Sequence, residues 1–152
     1  MQPLRAYLDA SVIGGCLDEE FREPSKALVG MIRRGEVVAL VSDLLVQELS
    51  GAPEEVRAVL ASLPRDSVEA LQSGGAGEVE ALARAYIEAG VLGEAHFRDA
   101  LHVALATAAN ADMIVSWNFR HIVHHEKIRG FRAVNLLKGC LPIGVFSPPE
   151  VI

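Results

Sequence analysis

Three carboxylates and two small polar residues carry the chemistry open to this chain. Asp9 follows an apolar run at residues 4–8, and Glu48 follows a second run at 37–41. Asp99 lies near the start of the stretch FRDALHVALATAANADMIVSWNFRH at 97–121, where Ser116 and Asn118 come just after a third run at 113–115. Carboxylates brought to one place repel unless a hard divalent cation neutralises them, and oxygen donors suit Mg²⁺ or Mn²⁺. Such a cation orients a bound water and eases its deprotonation, the chemistry of metal-assisted hydrolysis. Each acid also has a plainer role. Asp9 can cap the next helix. Glu48 stands four residues after Leu44 and three after Leu45, on the apolar side of its helix. A buried carboxylate there needs a cation, a metal or a proton, and a structural salt bridge meets that need as well as a metal does.

The elements that must position these groups are legible from pattern. Residues 4–8 read as a first strand, with Pro3 permitted just before it, and Ala10 to Ile13 lead to a Gly14, Gly15 turn. A helix is expected over 24–34, closed by Gly35, followed by a buried strand at 37–41 and a helix capped by Ser42 or Asp43. A further helix over 53–63 ends at Pro64, and 67–71 reads as a short strand. The segment QSGGAGE at 72–78 is a loop without dinucleotide or Walker spacing, so it is no phosphate cradle. Residues 78–89 form a helix stopped by Gly90. In the next helix Phe97, Leu101, Leu105 and Ala108 make the apolar stripe, with Asp99 on the opposite side. Asn110 and Ala111 end it, and 113–115 is a buried strand. A helical segment is expected after Asn118, through the histidines toward Lys138, broken at Asn135 or Gly139, before a last strand at 143–146.

Strands alternating with helices imply parallel pairing and right-handed crossovers, hence an α/β fold with three α/β/α layers around a central, mostly parallel sheet. Ligands in such sheets bind beyond the carboxyl ends of the strands. Asp9 and Asn118 belong there, and Glu48 and Asp99 lie on helices that can lean over the same edge. Asp112 precedes its strand and belongs roughly 10 Å or more away, at about 3.3 Å per strand residue, so it is excluded.

With 152 residues, 51% hydrophobic and 22% charged, the chain suits a single domain over 1–152. It has no apolar signal-like run at its amino terminus and none approaching the roughly 18 residues that span a bilayer, so the expected location is cytoplasmic. A net charge of -6 argues against a broad electrostatic grip on nucleic acid, although a metal-filled acidic site presents positive charge locally. Arg120, Lys127, Arg129, Arg132 and Lys138 cluster near the end, either as a solvated helical face or as a basic patch. Cys16 and Cys140 lack metal or disulfide spacing and read as small buried residues. His102, one turn beyond Asp99, reads as a packed histidine or a site neighbour. His121, His124 and His125 show no zinc-enzyme pattern. Arg98 and Arg120 can touch phosphate or pair with surface acids. Trp117 can stack on a base or pack internally.

YLDASVIGG at 7–15, VSDLLVQEL at 41–49 and FRDALHVALATAANADMIVSWNFRHI at 97–122, in that order, resemble the motif series of PIN-domain proteins. The closing GCLPIGVFSPPEV resembles the family's last strand and tail. The resemblance implies a Mg²⁺- or Mn²⁺-dependent ribonuclease, often the toxin of a toxin–antitoxin pair. It further implies a homodimer, an RNA substrate and a small antitoxin partner. Asp9, Glu48 and Asp99 match the family's acidic metal site. Ser116 matches its small hydroxyl residue, and Asn118 stands where an Asp is commoner. An Asn carbonyl binds metal or metal-bound water without adding negative charge, so a second metal is held less strongly. Two alternatives to a nuclease remain: a catalytically weak RNA-binding or assembly protein, and a phosphatase of small phosphate esters.

Overall fold

The first strand, β1 (Leu4–Leu8), is the centre of the molecule. In the computed structural model, which describes residues 2–73 and 77–152, it pairs in parallel with β2 (Val37–Ser42) on one side and β4 (Met113–Val115) on the other. β3 (Val68–Leu71) adds to β2, and β5 (Gly144–Phe146) adds to β4, also in parallel, giving the order β3-β2-β1-β4-β5. The chain builds outward from β1 to β3, then crosses back to the far side of β1. That reversal makes the gap between the carboxyl ends of β1 and β4 the switch point of the sheet, where open α/β sheets form their binding crevices.

Side-chain alternation assigns the two faces. Tyr7, Leu40, Ile114 and Val145 point into one core, covered by α5 (Glu78–Glu88), α6 (Phe97–Ala108) and α7 (His125–Leu137). Ala6, Leu8, Ala39, Val41, Met113 and Val115 point into the other. That face is covered by α1 (Ala10–Gly15), α2 (Arg22–Arg33), α3 (Asp43–Leu49) and α4 (Glu54–Ala61). The result is a three-layer α/β/α fold around a five-stranded parallel sheet. α2 buries Ser25, Leu28, Val29 and Ile32 at helical spacing and stops at Gly35, whose φ of +76° suits glycine. A short last helix, α8 (Pro148–Val151), carries both prolines in its first turn under a capping box between Ser147 and Glu150.

Five expectations change. Gly14 and Gly15 do not form a turn but complete α1. A Cβ on Gly15 would sit 2.5 Å from Ser25 Oγ and 2.9 Å from Trp117 Nε1, so the residue is fixed by close approach of neighbouring side chains. In α6 the buried face is Ala100, Val103, Ala104 and Thr107 together with His102, Leu105 and Ala106. Phe97 and Leu101 are half-buried and Ala108 is exposed, because small residues let α6 lie close to its neighbours while the larger ones reach in from the rim. The helix does not follow Asn118 directly: the Asn118 carbonyl accepts from Ile122 and Val123 N–H, making a tight turn through His121, and α7 begins only after His124, whose Nδ1 accepts from Glu126 N–H. Asn135 does not break α7 but is buried within it, donating to Thr107 and accepting from Tyr86, and Gly139 at φ +73° ends the segment. Cys16 is buried, whereas Cys140 is only half-buried. Of the expected 72–78 loop, 74–76 lie outside the described residues. Among the described residues no helix is long and apolar enough to cross a membrane.

Candidate metal and phosphodiester site

Register places Leu8 beside Val115, so the next residues, Asp9 and Ser116, emerge together at the switch point. Asp9 precedes α1 but does not cap it with its side chain. Instead each carboxylate oxygen accepts one hydroxyl hydrogen bond, Oδ1 from Ser11 and Oδ2 from Ser116, both at 2.6 Å. The direction of these bonds is set by what lies behind them. Ser11 Oγ accepts from Trp117 N–H at 2.9 Å, and Ser116 Oγ accepts from Asn118 N–H at 2.9 Å, so each hydroxyl proton is free to point at Asp9. Asp9 is only 6% exposed. Burial pushes its carboxyl above the usual carboxylate range, against the lowering effect of the two hydroxyls. A cleft of about 520 Å³ opens beside it, lined by Asp9, Ser11, Asp18, Trp117 and Asn118 among others.

Glu48 is held differently. Ser42 caps α3 by accepting from Leu45 N–H at 3.1 Å, which aims the helix across the end of β2. Glu48 Oε1 accepts from His102 Nε2 at 2.7 Å and Oε2 from Arg98 Nε at 3.1 Å. Burial raises this carboxyl, but His102 and then Arg98 outweigh it and the net direction is down. The cation expected for Glu48 is therefore supplied within the protein, and one of the two roles open to Arg98 is realised as an ion pair. His102 is buried, and its Nδ1 lies 2.6 Å from Tyr7 Oη, which lies 2.8 Å from Ser42 Oγ. One proton assignment satisfies every group: Leu45 N–H to Ser42, Ser42 to Tyr7, Tyr7 to Nδ1 of a neutral His102, and Nε2–H to Glu48.

Asp99 belongs to a third grouping. Its carboxylate and one ring nitrogen each of His96 and His121 lie within 4.8 Å of one another, and all three residues are half-buried. Among the described residues this is the group of three acids, histidines or cysteines drawn together so closely; Asp9, Glu48 and Asp99 do not form one. The rings of His96 and His121 stack with centroids 3.6 Å apart. Partial burial, then the neighbouring His96, lowers the pKa of His121 despite Asp99. Asn118 uses its side-chain carbonyl on His121 N–H at 2.9 Å. Trp117 donates from Nε1 to Ser25 Oγ at 2.8 Å and stacks on Phe21 at 4.2 Å, so one edge is packed while the residue still lines the cleft. Arg120 is exposed, as are Arg129, Arg132 and Lys138 along α7, while Lys127 is half-buried. Asp112 accepts from Arg5 N–H at the opposite end of the sheet.

Sequence reasoning passed over Ser11, Asp18 and His96. Ser11 is detectable as the hydroxyl two residues after a strand-end acid, and His96 as the residue three before Asp99 at a helix start. Asp18 carries no local signal, since only the path of the chain after α1 brings it to the cleft.

No family model matches the chain, and no curated protein matches it in sequence. Solved structures do match in fold. The chain is similar to VapBC2 from Rickettsia felis bound to a DNA fragment from their promoter, with a TM-score of 0.57 at 14% identity over 95% of this chain and 98% of that one. It is also similar to tyrosyl-tRNA synthetase from Aeropyrum pernix, with a TM-score of 0.50 at 14% identity over 94% of this chain and 51% of that one. At such identities the likeness concerns the fold.

Proposed function

We propose that this chain is a Mg²⁺- or Mn²⁺-dependent endoribonuclease, the toxin of a toxin–antitoxin pair, acting on RNA in the cytoplasm as a homodimer and restrained by a small antitoxin. The observation that carries this reading is Asp9: a buried carboxylate at the sheet's switch point, open to a cleft, with hydroxyl donors on both oxygens and no cation among its hydrogen-bond partners. The PIN-domain motif series and the fold shared with VapBC2 support it.

The donor set fits a hard cation. Each Asp9 oxygen has further lone-pair capacity beyond its one hydroxyl bond, and the neighbouring cleft groups, Asp18 and the Asn118 amide, offer oxygen. Asp9 and Asp99 would hold the ion, with Glu48 acting through water because both of its oxygens already accept from Arg98 and His102. When bound, the cation supplies a Lewis acid and an ionisable water at the phosphodiester. The chain's own groups prepare the place. Ser11 and Ser116 fix the plane of the Asp9 carboxylate, and Trp117 and Asn118 N–H groups fix the serines. Asn118, which lines the cleft, would position substrate or water, whereas the fully buried Ser116 would act through Asp9.

The test is cleavage of single-stranded RNA by tag-free protein in Mn²⁺, with Asp9→Asn and Asp99→Asn variants. The expected result is metal-dependent cleavage that falls by at least about a hundredfold in each variant, as for removal of a group acting on developing charge. Parent-like cleavage by both variants overturns the assignment. A second reading, an RNA-binding or assembly protein of weak activity, rests on the pairing of Glu48 with Arg98 and His102, which leaves less free negative charge at the edge. Binding of RNA without cleavage across Mg²⁺ and Mn²⁺ titrations selects it.

A further inference from the structure

His96, Asp99 and His121 form a grouping whose chemistry differs from that of the serine-held carboxylate. Two imidazoles and one carboxylate, each offering a ligand atom within 4.8 Å of the others, form a nitrogen-rich set rather than an all-oxygen one. Nitrogen donors shift preference from Mg²⁺ toward Zn²⁺ and its neighbours in the divalent series. Tetrahedral Zn²⁺ with bonds of about 2.0–2.1 Å places its ligands roughly 3.4 Å apart. Closing from within 4.8 Å requires the His96 and His121 rings to leave their stacked arrangement, with centroids 3.6 Å apart, and to turn their nitrogens toward one point.

The backbone around these ligands is already fixed. His96 ends a short 3₁₀ turn, with its N–H donating to Gly93 O at 2.9 Å, and stands three residues before Asp99 on α6. The loop bearing His121 is tied down by three bonds to Asn118. His121 N–H donates to its side chain at 2.9 Å, and Ile122 and Val123 N–H donate to its carbonyl at 3.1 and 2.8 Å. Ile122, the next residue, is fully buried and anchors the loop from below. Little backbone ordering remains to oppose binding.

We propose that His96, Asp99 and His121 form a binding site for a borderline divalent transition metal of the Zn²⁺ class, with water completing the coordination shell. Three protein ligands leave an exchangeable position, the pattern of open rather than closed zinc sites. The site extends beyond the nuclease reading and shares only Asp99 with it, so the test turns on the two histidines. It also gives Asn118 a concrete task, holding the loop that presents His121.

The experiment titrates tag-free, chelator-stripped protein with Co²⁺, whose four-coordinate complexes absorb strongly in the visible, and then displaces it with Zn²⁺. The expected result is one equivalent of Co²⁺ giving the bands of a mixed nitrogen and oxygen site, lost on adding Zn²⁺. His96→Ala and His121→Ala should each weaken Zn²⁺ binding by at least about tenfold, in a competition with a chromophoric chelator. His121→Gln, which keeps a polar side chain on the loop, should do the same, and circular dichroism verifies that each variant is folded. Asp9→Asn should bind Zn²⁺ like the parent. The proposal is overturned if no stoichiometric binding occurs, or if binding survives both histidine changes and disappears in Asp9→Asn. Metal bands that depend on the histidines in a protein that cleaves no RNA would leave this site standing and remove the nuclease reading alone.

Discussion

Asp9 and Glu48 serve the ends of neighbouring strands, β1 and β2, yet the protein treats them in opposite ways. Asp9 is surrounded by neutral hydroxyls and its pKa is driven up by burial, whereas Glu48 is clasped by Arg98 and His102 and its pKa is driven down. A carboxylate that already has its counter-charge is a structural pin. One that is buried with donors but without a cation is in electrostatic deficit, and a metal ion is what removes that deficit. The opposite end of the sheet sharpens the point. There Arg5 binds Glu69 through two nitrogens, reaches the carbonyls of Ala109 and Asn110, and offers its N–H to Asp112, so the acids at that end have partners.

The sharpest way to break the contrast is Asp9→Asn. Beyond the loss of cleavage, the folded protein should become no less stable, because a neutral amide of nearly the same shape no longer bears the desolvation of a buried charge. Sign matters here. A carboxyl whose folded pKa exceeds its unfolded one binds its proton more readily when folded, so it opposes folding above the usual carboxylate range, and the opposition fades as pH falls through the raised folded value. Denaturant titrations of parent and Asp9→Asn at neutral and mildly acidic pH should therefore differ most at neutral pH. A variant clearly less stable than the parent at pH 7 contradicts the deficit.

Ser116→Ala is the next largest expected effect. Removing the hydroxyl strips Asp9 Oδ2 of its donor and leaves Asn118 N–H without its acceptor, for a loss of about 1–3 kcal/mol measured by denaturant unfolding. Addition of Mn²⁺ should restore part of that loss if the ion binds Asp9, since a ligand that binds only the folded state stabilises it.

How much of this could be read from the chain follows from which interactions are local. β1 appears at the residues expected, since a run of apolar residues before an acid needs no tertiary information, and the α/β/α layering follows from the alternation of strands with helices. On α6 the expected stripe is right at Leu105 and partly right at Phe97 and Leu101, which pack against the core from its rim, but wrong at Ala108. The closest contact is made by Ala100, Val103, Ala104 and Thr107, and only packing against α5 and the sheet decides between them. Strand ends alone place Asp9 and Asn118 at one edge, and the register that sets Leu8 beside Val115 brings Ser116 there with them. The partition of the acids was not legible. Whether Glu48 meets Arg98, and whether Asp99 meets His96 and His121, depends on the relative rotation of helices and on a turn at Asn118 whose hydrogen bonds leave no periodic trace.

Glu48→Gln probes the paired half of the contrast. The amide keeps hydrogen-bonding capacity but loses charge, and since Arg98 is more than half exposed the ion pair is screened, so the expected cost is about 1 kcal/mol. A carboxyl with a depressed folded pKa stabilises the fold above its unfolded range and loses that contribution as pH falls through the folded value. The parent should thus lose its advantage over Glu48→Gln on acidification, the reverse of the trend expected for Asp9→Asn. Parallel pH profiles for the two variants would erase the distinction between them.

Glu69→Gln, at the far end of the sheet, should have the smallest effect. The Arg5–Glu69 pair is 2.7 Å long, but its side chains are 32% and 43% exposed, so solvent screens most of the attraction. Arg5 also keeps the carbonyls of Ala109 and Asn110 when the charge on Glu69 is removed. Unfolding free energy should fall by no more than about 0.5 kcal/mol and less still in high salt. RNA cleavage should be unchanged, because neither Arg5 nor Glu69 bonds to Asp9 or lines its cleft. A marked loss of activity in this variant would mean that the two ends of the sheet are coupled, and that pairing alone does not separate structural carboxylates from working ones.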